Sequence, residues 1–309
     1  MRITKTARLA GQLTLLCIAL VSFYPITSQA FSCRTSSRAG ITSGNVDIYV
    51  NMQPAIGVGQ NLVVDLSKEI FCKNDMPGIK QEDVINLRSG SLFNGGLQSF
   101  RGTVYFNGAS YPFPLSGDTA PLIYSNRDDT YKPWPVRLYL TPLGGAGGVA
   151  ITNGSLIATL SMYKYNKYYG DTANFTWRIY ANNSVVVPVG GCDVSSRDIT
   201  VTLPDYPGTS PVPLTVHCAQ RQQLSYYLTG ATADASRTVF TNTASAAATG
   251  VGVQLSGPGG VIAANQHVSL GQVGTSPVSL GLKAAYSRTN GPVTAGAVQS
   301  VVGVTFIYQ

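Results

Sequence analysis

The polar and apolar positions alternate over short stretches, with the two-residue period of half-buried strands. Asn45–Val50, Asn61–Leu66 and Gly102–Phe106 are rich in Val, Leu and Tyr and bounded by turn residues. Val136–Thr141, Ser155–Tyr165 and Phe175–Val187 continue the pattern. Asn107-Gly108 directly after Thr103-Val104-Tyr105-Phe106 predicts a tight hairpin. Gly144–Gly148 and Lys132-Pro133-Trp134-Pro135 break any helix, and no apolar stripe recurs at helical spacing. Past Pro188-Val189-Gly190-Gly191, which reads as a flexible joint, strands are predicted at Ile199–Leu203, Val212–Cys218, Leu224–Leu228, Val251–Leu255, Val278–Leu282 and Val301–Tyr308. The expected fold class is all-β, with two β-sandwich domains.

The first residues break this pattern. Arg2, Lys5 and Arg8 precede an apolar stretch from about Leu13 to Phe23, and Ser28-Gln29-Ala30 offers small residues at a cleavage site. Residues 1–30 read as a secretory signal peptide, too short for a membrane span. Cleavage after Ala30 leaves Phe31 as the first of 279 residues and lowers the formal charge from +7 to +4. No Lys/Arg block accompanies that charge, so nucleic acid is not an expected partner.

Four cysteines then remain: Cys33, Cys72, Cys192 and Cys218. In an exported chain an even number reads as disulfides. Three pairings are open, and the long gap after Cys72 favours Cys33–Cys72 with Cys192–Cys218, each worth about 3–4 kcal/mol. A zinc site is a weak rival, with no CxxC pair and only His217 and His267 available. No metal and no cofactor is expected.

At the other end, Val304, Phe306 and Tyr308 alternate with Thr305 and Ile307 up to Gln309. The pattern fits a last core strand, or a strand that also pairs with another protein.

Longer runs add a resemblance. Gly59-Gln60-Asn61-Leu62-Val63-Val64-Asp65-Leu66-Ser67, Phe71-Cys72 followed by Asn74-Asp75, Tyr111-Pro112-Phe113-Pro114 and Lys132-Pro133-Trp134-Pro135 occur in order. Ile179-Tyr180-Ala181-Asn182-Asn183, Val201-Thr202-Leu203-Pro204-Asp205-Tyr206-Pro207-Gly208 and Gly303-Val304-Thr305-Phe306 follow. In these runs the chain resembles the FimH-like family of type 1 fimbrial tip adhesins of chaperone–usher pili. The resemblance implies an elongated lectin sandwich over residues 31–188, a linker at 189–191 and an incomplete immunoglobulin-like pilin domain over 192–309. That domain lacks its last strand, which a periplasmic pilus chaperone and then an adjacent minor pilin subunit supply by strand addition, with an outer-membrane usher in the pathway. Val304, Phe306 and Tyr308 match the chaperone-recognition strand. Cys33 leaves no room for a donor extension, which implies a place at the fimbrial tip on the bacterial surface, reached through the periplasm.

The resemblance also implies a site for a terminal hexose, of the D-mannose or the galactose/N-acetylgalactosamine type, on a host glycoprotein or glycolipid. Each sugar hydroxyl taken out of water needs a partner. The expected sugar-binding residues are Phe31 through its free α-amine, Asn74, Asp75, Asp83, Lys164, Asn166 and Asp171, with Ile41, Met76 and Tyr168 at the rim. One extra residue separates Asp75 from Asp83 relative to the mannose-type pattern. Met76 stands where that type has a second gate Tyr, Lys164 where it has Gln and Ala173 where it has Phe. Lys164, the Phe-Ser-Cys start and Ile85-Asn86-Leu87 are similar to the galactose-type branch. Asn166, Asp171 and the Lys-Pro-Trp-Pro loop are closer to the mannose type. In related adhesins, contact between the two domains lowers sugar affinity.

Two other classes compete. A glycosidase would set Asp75 and Asp83 on either side of a scissile bond, but neither has an evident apolar neighbour to raise its pKa. A purely structural pilus subunit accounts for the second half and not for the disulfide-bearing domain ahead of it. The chain is therefore expected to be an adhesin and not an enzyme.

Overall fold

A computed structural model describes residues 31–75, 82–124, 130–143 and 147–308. The signal peptide and Met76 lie outside the described residues. The predicted strands dominate. Gly102–Phe106 and Ala109–Phe113 form the expected hairpin, with Phe106 opposite Ala109. Asn107 and Gly108 adopt φ of +47° and +85°, the left-handed pair a two-residue turn needs.

The first half packs two main sheets over one core. One sheet runs Gly44–Val50, Thr172–Ala181, Leu156–Asn166, Asp83–Leu87, Leu122–Tyr124, with Leu92–Phe93 added beside Leu156–Asn166. The other runs Asn61–Asp65, Val136–Leu140, Gly102–Phe106, Ala109–Phe113. A smaller sheet, Phe31–Arg34, Phe71–Asn74, Lys132–Pro133, closes one end. Between the layers lie Trp134 and Trp177, both fully buried, with Phe175 stacked on Trp177. Burial of aromatic area on this scale dominates the energetics of such a core.

The second half has its own core, built on Leu224, Tyr226, Leu228, Phe240 and Phe306. Its strands fall in three small sheets. One of these runs Val268–Val273, Gln222–Thr229, Gly303–Tyr308. Both disulfides pair as the spacing favoured, Cys33 with Cys72 and Cys192 with Cys218.

Three readings change. The continuous strand expected over Phe175–Val187 is two, Thr172–Ala181 and Val185–Pro188, because the chain turns at Asn182-Asn183. Ile199–Leu203 is not a strand, although its side chains alternate between half-buried and exposed. Ile199 and Leu203 pack on the core, but no neighbouring strand among the described residues supplies a ladder, and an extended segment without one is not a sheet member. Finally, the Gly-rich joint is tied down. Asn61, fully buried, donates both Nδ2 hydrogens, to the carbonyls of Pro188 and Gly190, each at 2.9 Å. Its Oδ1 accepts from the Gly57 amide at 3.2 Å. Gly residues permit flexibility, but a buried donor removes it wherever the carbonyls are its only outlet.

Candidate functional site

Two strand ends and one loop position the predicted residues. Phe31 opens its strand directly opposite Asn74, and the Cys33–Cys72 bridge lies two residues along the same register. The Phe31 ring is buried and packs edge-on against Tyr124 at 5.4 Å and Phe175 at 6.1 Å. That anchor fixes the backbone nitrogen at the end of the sheet. Asp75 follows Asn74 at the strand end and pairs with Lys73 at 2.9 Å, partly exposed.

The second group is buried. Asp83 sits opposite both Asn166 and Tyr124 on adjacent strands. Asn166 donates to Asp83 Oδ1 at 3.0 Å. Its own Oδ1 accepts from the amides of Tyr168 and Tyr169, at 3.0 and 2.9 Å, and its backbone closes the loop through Asp171 and Gly170. One side chain thus orders the loop 166–171 and binds it to Asp83, a use of Asn in turns that outcompetes regular strand. Lys164, only 2% exposed, lies 3.1 Å from Asp83 Oδ1 and donates to Asp171 Oδ2.

The electrostatics follow from burial. Asp83 is fully buried, and desolvation pushes its carboxyl above the ordinary Asp range, against the hydrogen bond from Asn166 and the charge of Lys164. Three ionisable groups, two acidic and one basic, share the cluster. Asp83 Oδ2 and Asp171 Oδ1 are shut off from water and have no hydrogen-bond partner among the described residues. An acceptor without a donor costs about 1–3 kcal/mol.

The structure brings Asp83, Lys164, Asn166 and Asp171 into one bonded cluster; Phe31, opposite Asn74 in the register, packs on Tyr124, the strand neighbour of Asp83. Tyr168 is 64% exposed and meets Tyr169 edge-on at 4.9 Å. Ile41, expected at the rim, is instead buried to 1% and hydrogen-bonded through its backbone to Cys33. Tyr124 is the residue that sequence reasoning missed. Burial raises its phenol, and its hydroxyl has no partner among the described residues. The alternation Leu122/Tyr124 before the Lys-Pro-Trp-Pro loop was the available signal. A cavity of about 190 Å³ between Leu122–Tyr124 and Lys132–Pro133 touches the site only through Tyr124.

The family described as "FimH, mannose binding" matches residues 33–178, and "Fimbrial protein" matches 182–309. The chain is 55% identical over 300 residues to the "Type 1 fimbrin D-mannose specific adhesin" of Escherichia coli (strain K12), covering 96% of this chain and 99% of that one. It is 41% identical over 296 residues to the "S-fimbrial protein subunit SfaH" of Escherichia coli O6:K15:H31 (strain 536 / UPEC), covering 92% and 99%. With relatives this similar along nearly the whole length, and a two-part all-β fold to match, the chain belongs to the FimH-like family of fimbrial adhesins.

Proposed function

We propose that the end of the first sandwich grips a terminal neutral hexose of a surface glycan, and that the second sandwich joins the chain to a pilus. The observation that carries the first part is the bonded cluster of Asp83, Lys164, Asn166 and Asp171 at the strand ends, two carboxylates and a carboxamide around one cation. Ionised carboxylates accept strong hydrogen bonds from hydroxyls. In this reading the leader is removed after Ala30, and the Phe31 α-amine, with a reference pKa of about 8, is a cationic donor beside Asn74 and Asp75. Tyr168 offers ring area and a polar tip to the sugar face. The role is binding without catalysis.

The specificity of the K12 relative favours D-mannose. Lys164, standing where the mannose type has Gln, is similar to the galactose-type branch and favours that sugar. Isothermal titration of the full chain with methyl α-mannoside and methyl β-galactoside, alongside an assay for released reducing sugar, tests the reading. The expected outcome is saturable heat with one sugar and no release. Release of sugar, or no heat with any hexose, overturns it.

The second sandwich supports strand addition. Gly303–Tyr308 pairs with Gln222–Thr229 on one side and with no strand on the other among the described residues. Half-buried Val304 and Tyr308 and buried Phe306 lie under that open edge. An unpaired apolar edge is a template for an incoming strand. A periplasmic chaperone, then an adjacent minor pilin after passage through an outer-membrane usher, fills it in this reading. The lectin part spans 31–188 and the pilin part 192–309.

A further inference from the structure

Beside the hexose site, the outer face of the small sheet carries a charge the function above does not use. Arg34 lies at the end of Phe31–Arg34, opposite Phe71. Its guanidinium carbon sits 5.3 Å from the Phe71 ring centroid and 4.9 Å from that of Tyr131. Between Arg34 and the site lie Ser32 and Lys73, paired across the same two strands. The Tyr131 hydroxyl is 3.2 Å from Ser32 Oγ, and Lys73 Nζ is 5.1 Å from the Tyr131 ring. The tyrosine thus ties the row together.

Two rings hold the planar fork of Arg34 without consuming its donors. The residue is exposed, and no carboxylate pairs with it among the described residues. Lys73 has Asp75, whereas Arg34 has no carboxylate partner among the described residues. A flexible surface arginine would lose rotamer freedom on binding an anion; this one has already lost it. Three residues of strand, about 10 Å, separate it from Phe31, within reach of a second or third sugar of a glycan whose end occupies the hexose site.

We propose that Arg34, held by Phe71 and Tyr131, is a subsite for the carboxylate of an acidic sugar lying next along the glycan. The inference rests on the hexose reading for its anchor, and it adds a preference which that reading lacks. A carboxylate meets the fork with two parallel hydrogen bonds, a geometry neutral hydroxyls do not reproduce.

The test is titration of the full chain with two oligosaccharides that share the terminal hexose and differ only in one carboxylate on a neighbouring sugar, with a methyl hexoside as control. The acidic oligosaccharide is expected to bind about three- to tenfold tighter than the neutral one at low salt, with the ratio shrinking at high salt. In Arg34→Gln the ratio falls to about one, while the methyl hexoside binds as before. Arg34→Lys, which keeps the charge and loses the fork, restores only part of it. Equal ratios in wild type and Arg34→Gln overturn the subsite and leave the hexose site standing. Loss of all binding, methyl hexoside included, in the wild type overturns both. A sulfated oligosaccharide preferred over the carboxylated one sinks the carboxylate assignment. Should Arg34→Gln not fold, the wild-type salt dependence of the ratio decides: a ratio unmoved by salt contradicts a charged subsite.

Discussion

The two ends of the molecule are unsatisfied in opposite ways. At the end of the first sandwich the unmatched groups are side-chain atoms: two buried carboxylate oxygens have no hydrogen-bond partner among the described residues. In the second sandwich the unmatched groups are backbone, along the edge of Gly303–Tyr308 that pairs with no strand among the described residues. Side-chain acceptors at fixed positions read one small polar ligand. A strand edge reads any extended chain, and only the apolar positions under it discriminate. The first region therefore depends on where single polar groups stand, whereas the second depends on apolar volume.

The largest expected effect comes from Asp83→Ala. It leaves the Lys164 cation at 2% exposure with Asp171 alone. Because Lys164 keeps Asp171, the cost lies at the low end of the ~3–5 kcal/mol of a broken buried pair, read as a lower denaturant midpoint together with lost sugar binding. If the midpoint holds, the contrast between the two regions is wrong. Phe306→Ala follows, at about 3 kcal/mol or slightly less given its residual exposure. It is expected to weaken capture of a complementing strand peptide while leaving hexose affinity intact. One additional residue ahead of Phe31, which moves the α-amine, should cost about 1–3 kcal/mol of sugar affinity by titration and nothing in strand capture.

The smallest and sharpest effect is on pH. Asp83 is raised by burial, so its proton is retained in the fold at pH values where the unfolded chain has lost it. Through that window, acidification protonates Asp83, removes the acceptor and weakens sugar binding. The same protonation relieves a buried charge, so this residue's contribution to stability grows as pH falls. Asp65 runs the other way. Burial opposes its ionisation, but the Ser67 hydrogen bonds and Arg137 outweigh it and lower its pKa, so its stabilisation is lost as pH falls. Measuring sugar affinity and thermal midpoint on one acid titration separates the two: affinity is expected to fall first. Strand capture should stay flat.

The sequence carried the strands best where local chemistry decides them. Asn107-Gly108 forced its turn, and the alternation of Val304, Phe306 and Tyr308 placed Phe306 in the core. It failed where partners decide. Ile199–Leu203 alternates as a strand does, yet lacks a neighbour to bond. The parallel pairing of Gly44–Val50 with Thr172–Ala181 spans most of the first sandwich and leaves no local trace. At the site, Asn166 was legible as a polar loop residue, but not as the side chain that ties that loop to Asp83. Tyr124 left only the trace of its alternation with Leu122, because its packing is against the Phe31 ring across strands.

The most direct measurement is hexose titration of Asp83→Asn, which keeps an oxygen and the volume but removes the charge. The account predicts a folded protein, still able to capture a strand peptide, whose heat of sugar binding disappears. An Asp83→Asn chain that binds the hexose as tightly as the wild type contradicts it.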